Sequence, residues 1–329
     1  MLIGRDFIMK RTISLLLAAL LLAGVLSGCG TGSGIETTAP SDTVPEATAS
    51  SDPKPEVTTP PTESSLDLGL VADKAFVYDV TNDEYVFLLG NYNDWVFPAS
   101  TTKLFNAYVA LQYLDPEQTI TVGEEITFLE DMASVAELRQ GDTTTVAQMV
   151  KCMLLPSGCD AAYTLAASTG RVIAGDPNLS ARAAVDEFVK EMNRQARQLG
   201  MPNTHFVTPD GYHRSDHFIS LAAFVKIGQL CLENETIMAA TQVYAADITF
   251  ENGRSMTLTN LNEVINPDSI YYRPDCIGLK TGRTDAAGSC MLAAYRDVDH
   301  DRVLLVGVFG CPAKEDRYST ANILFDYFS

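Results

Sequence analysis

Basic residues are scarce in this chain. Its 329 residues hold 23 lysines and arginines against 42 aspartates and glutamates, a formal net charge of -19. A phosphate backbone requires a basic face, so nucleic acid is excluded as a partner. The balance fits a soluble, non-associating domain and leaves the fold open. Histidine is scarce too, with four residues. No His-Glu-x-x-His occurs, and His213, Asp216 and His217, with Asp210 nearby, read as a polar loop, so neither a metal nor a cofactor is expected. The Gly-x-Ser-x-Gly setting of a Ser-His-Asp hydrolase is missing. There is no internal repeat. No apolar run is long enough for a comfortable membrane span; Ile13 to Leu26 falls short. Past position 29, the cysteines at 152, 159, 231, 276, 290 and 311 fit no zinc ribbon and no small disulfide scaffold. An exported chain could pair some of them. Cys276 and Cys290 flank a hairpin and are the pair expected to face each other; most of the others read as buried thiols.

The first residues form a targeting segment. Lys10 and Arg11 precede the apolar run, which ends in Leu26-Ser27-Gly28-Cys29. A basic stretch and a short apolar core make a secretory signal. The ending resembles a bacterial lipobox, which implies cleavage before Cys29 and lipid on its sulfur. Several acyl chains there would hold a membrane stably. Residues 1–28 are thus expected to be a lipoprotein signal peptide and 29–65 a lipidated linker. The linker is rich in Thr, Pro, Ser, Glu and Asp, so it buries too little surface to offset its ordering entropy. As a coil it reaches roughly 35 Å. A globular domain is expected over 66–329, outside the cytoplasm.

From Leu66 the composition is globular. Apolar runs at Ala75–Val80 and Glu84–Leu89 flank Thr81-Asn82-Asp83, a hairpin signal. Helical periods follow: one from Thr101 with a stripe at Leu104, Ala107, Tyr108 and Leu111, one at Val146–Leu155, one from about Asp160, then Ala184–Leu199 and Ser220–Leu232. Strands return at Ile277–Thr281, Cys290–Tyr295 and Val303–Phe309, before a last helix at about Ser319–Tyr327. Strands at both ends with helices between them predict an α/β domain of α+β type. Its antiparallel sheet is built from both chain ends, flanked by helices, with a mostly helical inserted subdomain.

Three short stretches carry chemistry. Pro98-Ala99-Ser100-Thr101-Thr102-Lys103 opens the first helix with a hydroxyl and an amine one turn apart. Ser100 could be a plain helix cap. A buried lysine near a helix N-terminus, however, has its charged form disfavoured by desolvation and by the dipole. A neutral amine can take the serine proton, and no histidine is needed. Leu155-Pro156-Ser157-Gly158-Cys159-Asp160 links two helices and could equally be a capping turn. Gly278-Leu279-Lys280-Thr281-Gly282-Arg283-Thr284 puts a cation, a hydroxyl and a glycine at a sheet edge, where a backbone can approach closely.

Taken together, in this order, the three stretches resemble the serine D-alanyl-D-alanine carboxypeptidases, the low-molecular-mass penicillin-binding proteins of the serine β-lactamase-like superfamily. Gly200-Met201-Pro202-Asn203-Thr204-His205-Phe206 fits the same pattern, and the resemblance runs from Leu70 to the C-terminus. It implies a β-lactamase/transpeptidase-like fold. It also implies Ser100 as nucleophile, Lys103 as general base, Ser157 as proton relay to the leaving D-alanine, and Lys280 as the electrostatic support of that relay. Thr281 and Arg317 would hold the substrate carboxylate. The N–H groups of Ser100 and Arg283, beside Gly282, would form the oxyanion hole. Peptidoglycan stem peptides ending in D-Ala-D-Ala would be the substrates and β-lactams covalent inhibitors. The membrane would be reached through the lipid on Cys29.

This chain departs from the family pattern at Cys159, where asparagine is usual; a thiol donates and accepts hydrogen bonds weakly. Thr208-Pro209-Asp210-Gly211-Tyr212 also differs, with an expected effect on loop shape. Two other readings remain. A β-lactamase would need a positioned glutamate, and Glu187 and Glu191 lack the usual setting. A wall-binding or sensing module with a decayed site would be signalled by Cys159.

Overall fold

The computed structural model of the protein describes residues 63–64 and 66–329. The expected signal peptide, Cys29 and nearly all of the linker lie outside the described residues. Among those residues no helix is long and apolar enough to cross a membrane.

The chain enters through β1 (Lys74–Asp79) and β2 (Glu84–Leu89), which pair antiparallel. Asp79 closes their turn by accepting from the peptide nitrogens of Thr81 and Asn82 at 2.9 and 3.0 Å. After β3 (Trp95–Val96) come α1 (Thr102–Ala110), the short strands β4 (Thr119–Thr121) and β5 (Thr143–Thr145), and α2 (Val146–Leu154). Next are α3 (Cys159–Ala174), α4 (Ala181–Gln198), β6 (Ile219–Ser220), α5 (Leu221–Leu232) and α6 (Glu235–Thr241). The hairpin β7 (Ala245–Thr249) and β8 (Ser255–Thr259) precedes β9 (Cys276–Thr284), β10 (Gly288–Asp297) and β11 (Arg302–Cys311), and α7 (Asp316–Phe328) ends the chain.

The main sheet has the order β2-β1-β11-β10-β9, every neighbour antiparallel. It is built from the two chain ends, as the sequence pattern predicts. The period-2 alternation sends Phe76, Leu292, Ala294, Leu305 and Phe309 into a core shared with α1 to α6. The opposite residues Val77, Met291, Ala293, Tyr295, Val306 and Val308 pack under Tyr318, Ala321, Leu324 and Phe325 of α7. Both faces are covered, so these strands read as almost continuous apolar runs.

Helix α1 departs from the striped reading. All its residues but Tyr108 are buried, Thr102, Lys103 and Asn106 included. It is the central helix of the helical layer, and its polar side chains face buried partners instead of solvent. Helix α7 begins at Asp316, three residues before the expected start, because Asp316 accepts from the peptide nitrogen of Ala313 at 2.8 Å. The expected Cys276–Cys290 pairing is corrected. Cys290 sits opposite Gly282 and Cys276 opposite Tyr295, towards opposite ends of the β9–β10 pair, and all six described cysteines are free and buried.

Candidate active site

Ser100 lies in a 3-10 turn, Ala99–Thr101, that runs directly into α1. The turn is held by the Thr101 hydroxyl, which donates to the Pro98 carbonyl at 2.6 Å. Ala99 takes a positive φ of 48°, unusual for an L-residue. Gly211 presses on it from the other side: at φ +84° a Cβ there would meet the Ala99 carbonyl oxygen at 1.9 Å. Only glycine fits this contact.

One turn on, Lys103 is fully buried. Its Nζ lies 2.9 Å from Ser100 Oγ, 2.9 Å from the Asp210 carbonyl oxygen and 3.4 Å from Cys159 Sγ. The amine donates to all three: the serine oxygen, the carbonyl and the sulfur.

The carbonyl of Asp210 comes from a loop that the residue pattern did not mark as functional. Asn106 Nδ2, one turn beyond Lys103, donates to the Pro209 carbonyl at 2.8 Å. His217 is buried beneath the same loop. Its Nδ1 accepts from the peptide nitrogens of Val207 and Thr208 at 3.3 Å each, so Nε2 carries the proton and donates to Thr102 Oγ1 at 3.1 Å. Burial pushes its pKa down to about 4. His217 is thus a structural strut, and among the described residues no cluster of metal-binding side chains is present.

Ser157 and Cys159 come from the turn between α2 and α3. Ser157 is buried at φ +64°, and its hydroxyl has no hydrogen-bond partner. The turn is fixed by backbone: the Cys159 nitrogen donates to the Ser134 carbonyl at 2.8 Å, and the Leu261 nitrogen to the Leu155 carbonyl at 3.1 Å. Asp160 pins the facing segment by accepting from the nitrogens of Ala136 and Leu138. Burial pushes the Cys159 thiol up to about 12, against the pull of the Lys103 charge. It is a neutral SH group.

The third wall is β9, the free edge of the sheet. Its register with β10 slips at Ile277, between Cys276 and Gly278, and Leu279, two residues on, takes a φ of 145°. Lys280 is buried and donates to the Thr281 carbonyl at 3.0 Å. Its pKa lies well below the usual lysine range, through burial first and then the nearby charges of Lys103 and Arg317. Thr281 is buried, and Gly282 backs onto the Ser100 turn. Arg283 points outwards, to Ser289 Oγ at 2.9 Å. Arg317, at the start of α7, lies behind the strand: Nη1 donates to the Gly282 carbonyl at 3.0 Å and Nη2 to the Tyr318 hydroxyl at 2.7 Å, while Nε has no partner.

Ser100, Lys103 and Cys159 therefore meet directly. Lys280 and Arg317 are close enough to feel each other's charge, and Lys280 that of Lys103. These three side chains are buried and form no ion pair; the pairs with a buried carboxylate include Arg254–Asp142, Arg302–Asp79 and Arg302–Asp297, elsewhere in the fold.

The model of the peptidase S11 family, described as D-alanyl-D-alanine carboxypeptidase, matches residues 62–311. The chain is 27% identical over 241 residues to D-alanyl-D-alanine carboxypeptidase DacF of Bacillus subtilis, covering 72% of this chain and 57% of that protein. It is 32% identical over 201 residues to a D-alanyl-D-alanine carboxypeptidase of Streptomyces sp. strain K15, covering 59% of this chain and 66% of that one. The crystal structure of the Streptomyces K15 DD-transpeptidase superposes with a TM-score of 0.70 at 26% identity, covering 82% of this chain and 98% of that chain. The chain thus spans less than two thirds of the length of these two curated relatives. With the family model covering most of the described residues, and the same fold in the solved structure, the chain belongs to the D-alanyl-D-alanine carboxypeptidase family, peptidase family S11.

Proposed function

We propose that the protein is a serine D-alanyl-D-alanine carboxypeptidase that trims peptidoglycan stem peptides. The observation that carries this reading is the 2.9 Å contact between Lys103 Nζ and Ser100 Oγ, in a buried setting with the Lys280 and Arg317 side chains nearby. Lys103 takes the hydroxyl proton as Oγ attacks the carbonyl carbon of the penultimate D-alanine. The oxyanion forms against the N–H groups of Ser100 and Arg283. As the peptide bond breaks, the leaving D-alanine nitrogen receives a proton through Ser157, whose hydroxyl is free of other partners, with Lys280 supporting the relay. Thr281 and Arg317 take the terminal carboxylate; the unpartnered Nε of a buried guanidinium supports that role. Water then attacks the ester, with Lys103 again as base, and frees Ser100.

The test is D-alanine release from a peptide ending in D-Ala-D-Ala, with intact-mass detection of an adduct after benzylpenicillin. Wild type should do both and Ser100→Ala neither. A wild type without D-alanine release refutes the activity; absence of covalent labelling favours a non-catalytic binding or sensing module.

A second reading is supported by one observation: the Streptomyces K15 relative is solved as a DD-transpeptidase. The acyl-enzyme is common to both reactions, and only the acceptor differs. Adding a free amine acceptor and measuring the ratio of transfer to hydrolysis separates them. A β-lactamase reading lacks support. Glu191 is already engaged by Tyr113, Arg194 and Gln195, so it has little capacity left to direct a water. Fast penicillin turnover would reverse that view.

We also propose a lipid on Cys29, with residues 29–65 as a leash and residues 66–329 working on the wall side of the membrane. Cys29→Ala should release the protein from the membrane fraction and abolish incorporation of labelled fatty acid.

A further inference from the structure

Two walls of the cleft come from distant parts of the chain. One is β9, with Lys280, Thr281 and Gly282. The other is the turn that carries Ser157. The Ser157 hydroxyl has no partner of its own, so the backbone anchors of that turn must place it. One anchor is the Leu261 nitrogen on the Leu155 carbonyl, at 3.1 Å. The Leu261 carbonyl in turn accepts from the Tyr318 hydroxyl at 2.8 Å. That hydroxyl accepts from Arg317 Nη2 at 2.7 Å, and Arg317 Nη1 holds the Gly282 carbonyl at 3.0 Å. An unbroken hydrogen-bonded path therefore runs from β9 through two adjacent residues of α7 to the Ser157 turn.

We propose that Tyr318 is a positioning residue: its hydroxyl ties Arg317 to Leu261 and so fixes the distance between the strand that carries Thr281–Gly282 and the turn that carries Ser157. The tie rests on the acyl-transfer reading above. Tyr318 touches no reacting atom and acts through its two neighbours. Its ring is buried in the core under the sheet and stacks against the Arg317 guanidinium, 4.7 Å from centroid to carbon. A phenylalanine keeps that ring and removes only the tie. A hydroxyl accepting from a cation while donating to a carbonyl also sits in a polarised chain, where each bond strengthens the next. Misplacing a catalytic group by about 1 Å can cost about a hundredfold in rate, so modest slack between the walls is felt at the chemical step before it is felt in binding.

The test compares Tyr318→Phe with Tyr295→Phe. Tyr295 lies in the same core, and its hydroxyl faces Asn322 at 3.5 Å, so its loss reports the bare cost of a buried hydroxyl. Tyr318→Phe is expected to lower kcat for D-alanine release about tenfold with KM changed less than twofold, and to speed amide hydrogen exchange at Leu261. Tyr295→Phe should leave both at wild-type values. Wild-type kcat in Tyr318→Phe overturns the proposal, and so does a fall in kcat with unchanged exchange at Leu261. If wild type itself releases no D-alanine, the proposed activity fails, and exchange at Leu261 alone then decides whether the tie exists.

Discussion

Gly282 backs onto the peptide nitrogen of Ser100: a Cβ built on this glycine would stand 2.8 Å from that nitrogen and 3.1 Å from the Pro98 carbonyl oxygen. Both neighbours are backbone, so neither can yield by a rotamer change. Gly282→Ala must push β9 away from the nucleophile turn and open the space between the two proposed oxyanion donors. Losing one such donor costs about 2.7–4 kcal/mol of barrier. Acylation by benzylpenicillin is therefore expected to slow by about a hundredfold or more, read from the time course of the mass adduct. An unchanged rate would show that the contact has no catalytic weight.

Lys103→Met keeps the apolar stem and removes the amine. The Asp210 carbonyl loses its partner, at a cost of about 1–3 kcal/mol of stability. Acylation is expected to fall by about 10²–10⁴, the usual worth of a positioned base. Thermal unfolding measures the first effect and adduct formation the second. An acylation rate within threefold of wild type would remove Lys103 from the mechanism.

Cys159 stands 3.4 Å from the Lys103 amine as a neutral thiol. An amide there would donate to a substrate carbonyl and accept from the amine at full strength. Cys159→Asn is expected to raise the rate of D-alanine release by about ten- to a hundredfold, the kinetic equivalent of about 1–3 kcal/mol. No gain, or a loss, in a steady-state assay would show that the thiol is already the fitted group.

Acid should destabilise the fold through His217. Its folded pKa of about 4 lies below the 6.5 of an unperturbed histidine. The unfolded chain therefore binds more protons between those values. The contribution of His217 is complete above pH 6.5 and is lost as pH falls towards 4. The whole swing is on the order of 3 kcal/mol. Chemical unfolding at pH 7 and pH 4.5 measures it, and replacing His217 with Gln should flatten that part of the profile. A slope unchanged in the variant would assign the acid sensitivity to carboxylates.

Much of the site was legible in the chain. Ser100 and Lys103 are neighbours by helical geometry, so their contact follows from a spacing of three. Lys280 and Thr281 lie on a strand that its apolar pattern announces. The hairpin β7–β8 and the helix α6 were not legible. Their strands are half exposed, with polar residues alternating weakly, and their partners are set by packing on α2 and β9. The Asp210 carbonyl was hidden for a different reason. A backbone oxygen has no residue signature, and its aim comes from Asn106, Gly211 and His217 acting from three places.

The sequence alone determined the longer helices, the two-ended sheet and the closeness of Ser100 and Lys103, because periodicity and local spacing are properties of contiguous residues. The tertiary structure decided what those groups feel. The cysteines that flank a hairpin in the chain lie far apart along it. A helix with one apolar stripe became a helix buried almost all round. Lys103, Lys280 and Arg317 came into one cleft without carboxylates to pair them. Burial, charge proximity and backbone aim depend on residues more than a hundred positions apart, and no local pattern encodes them.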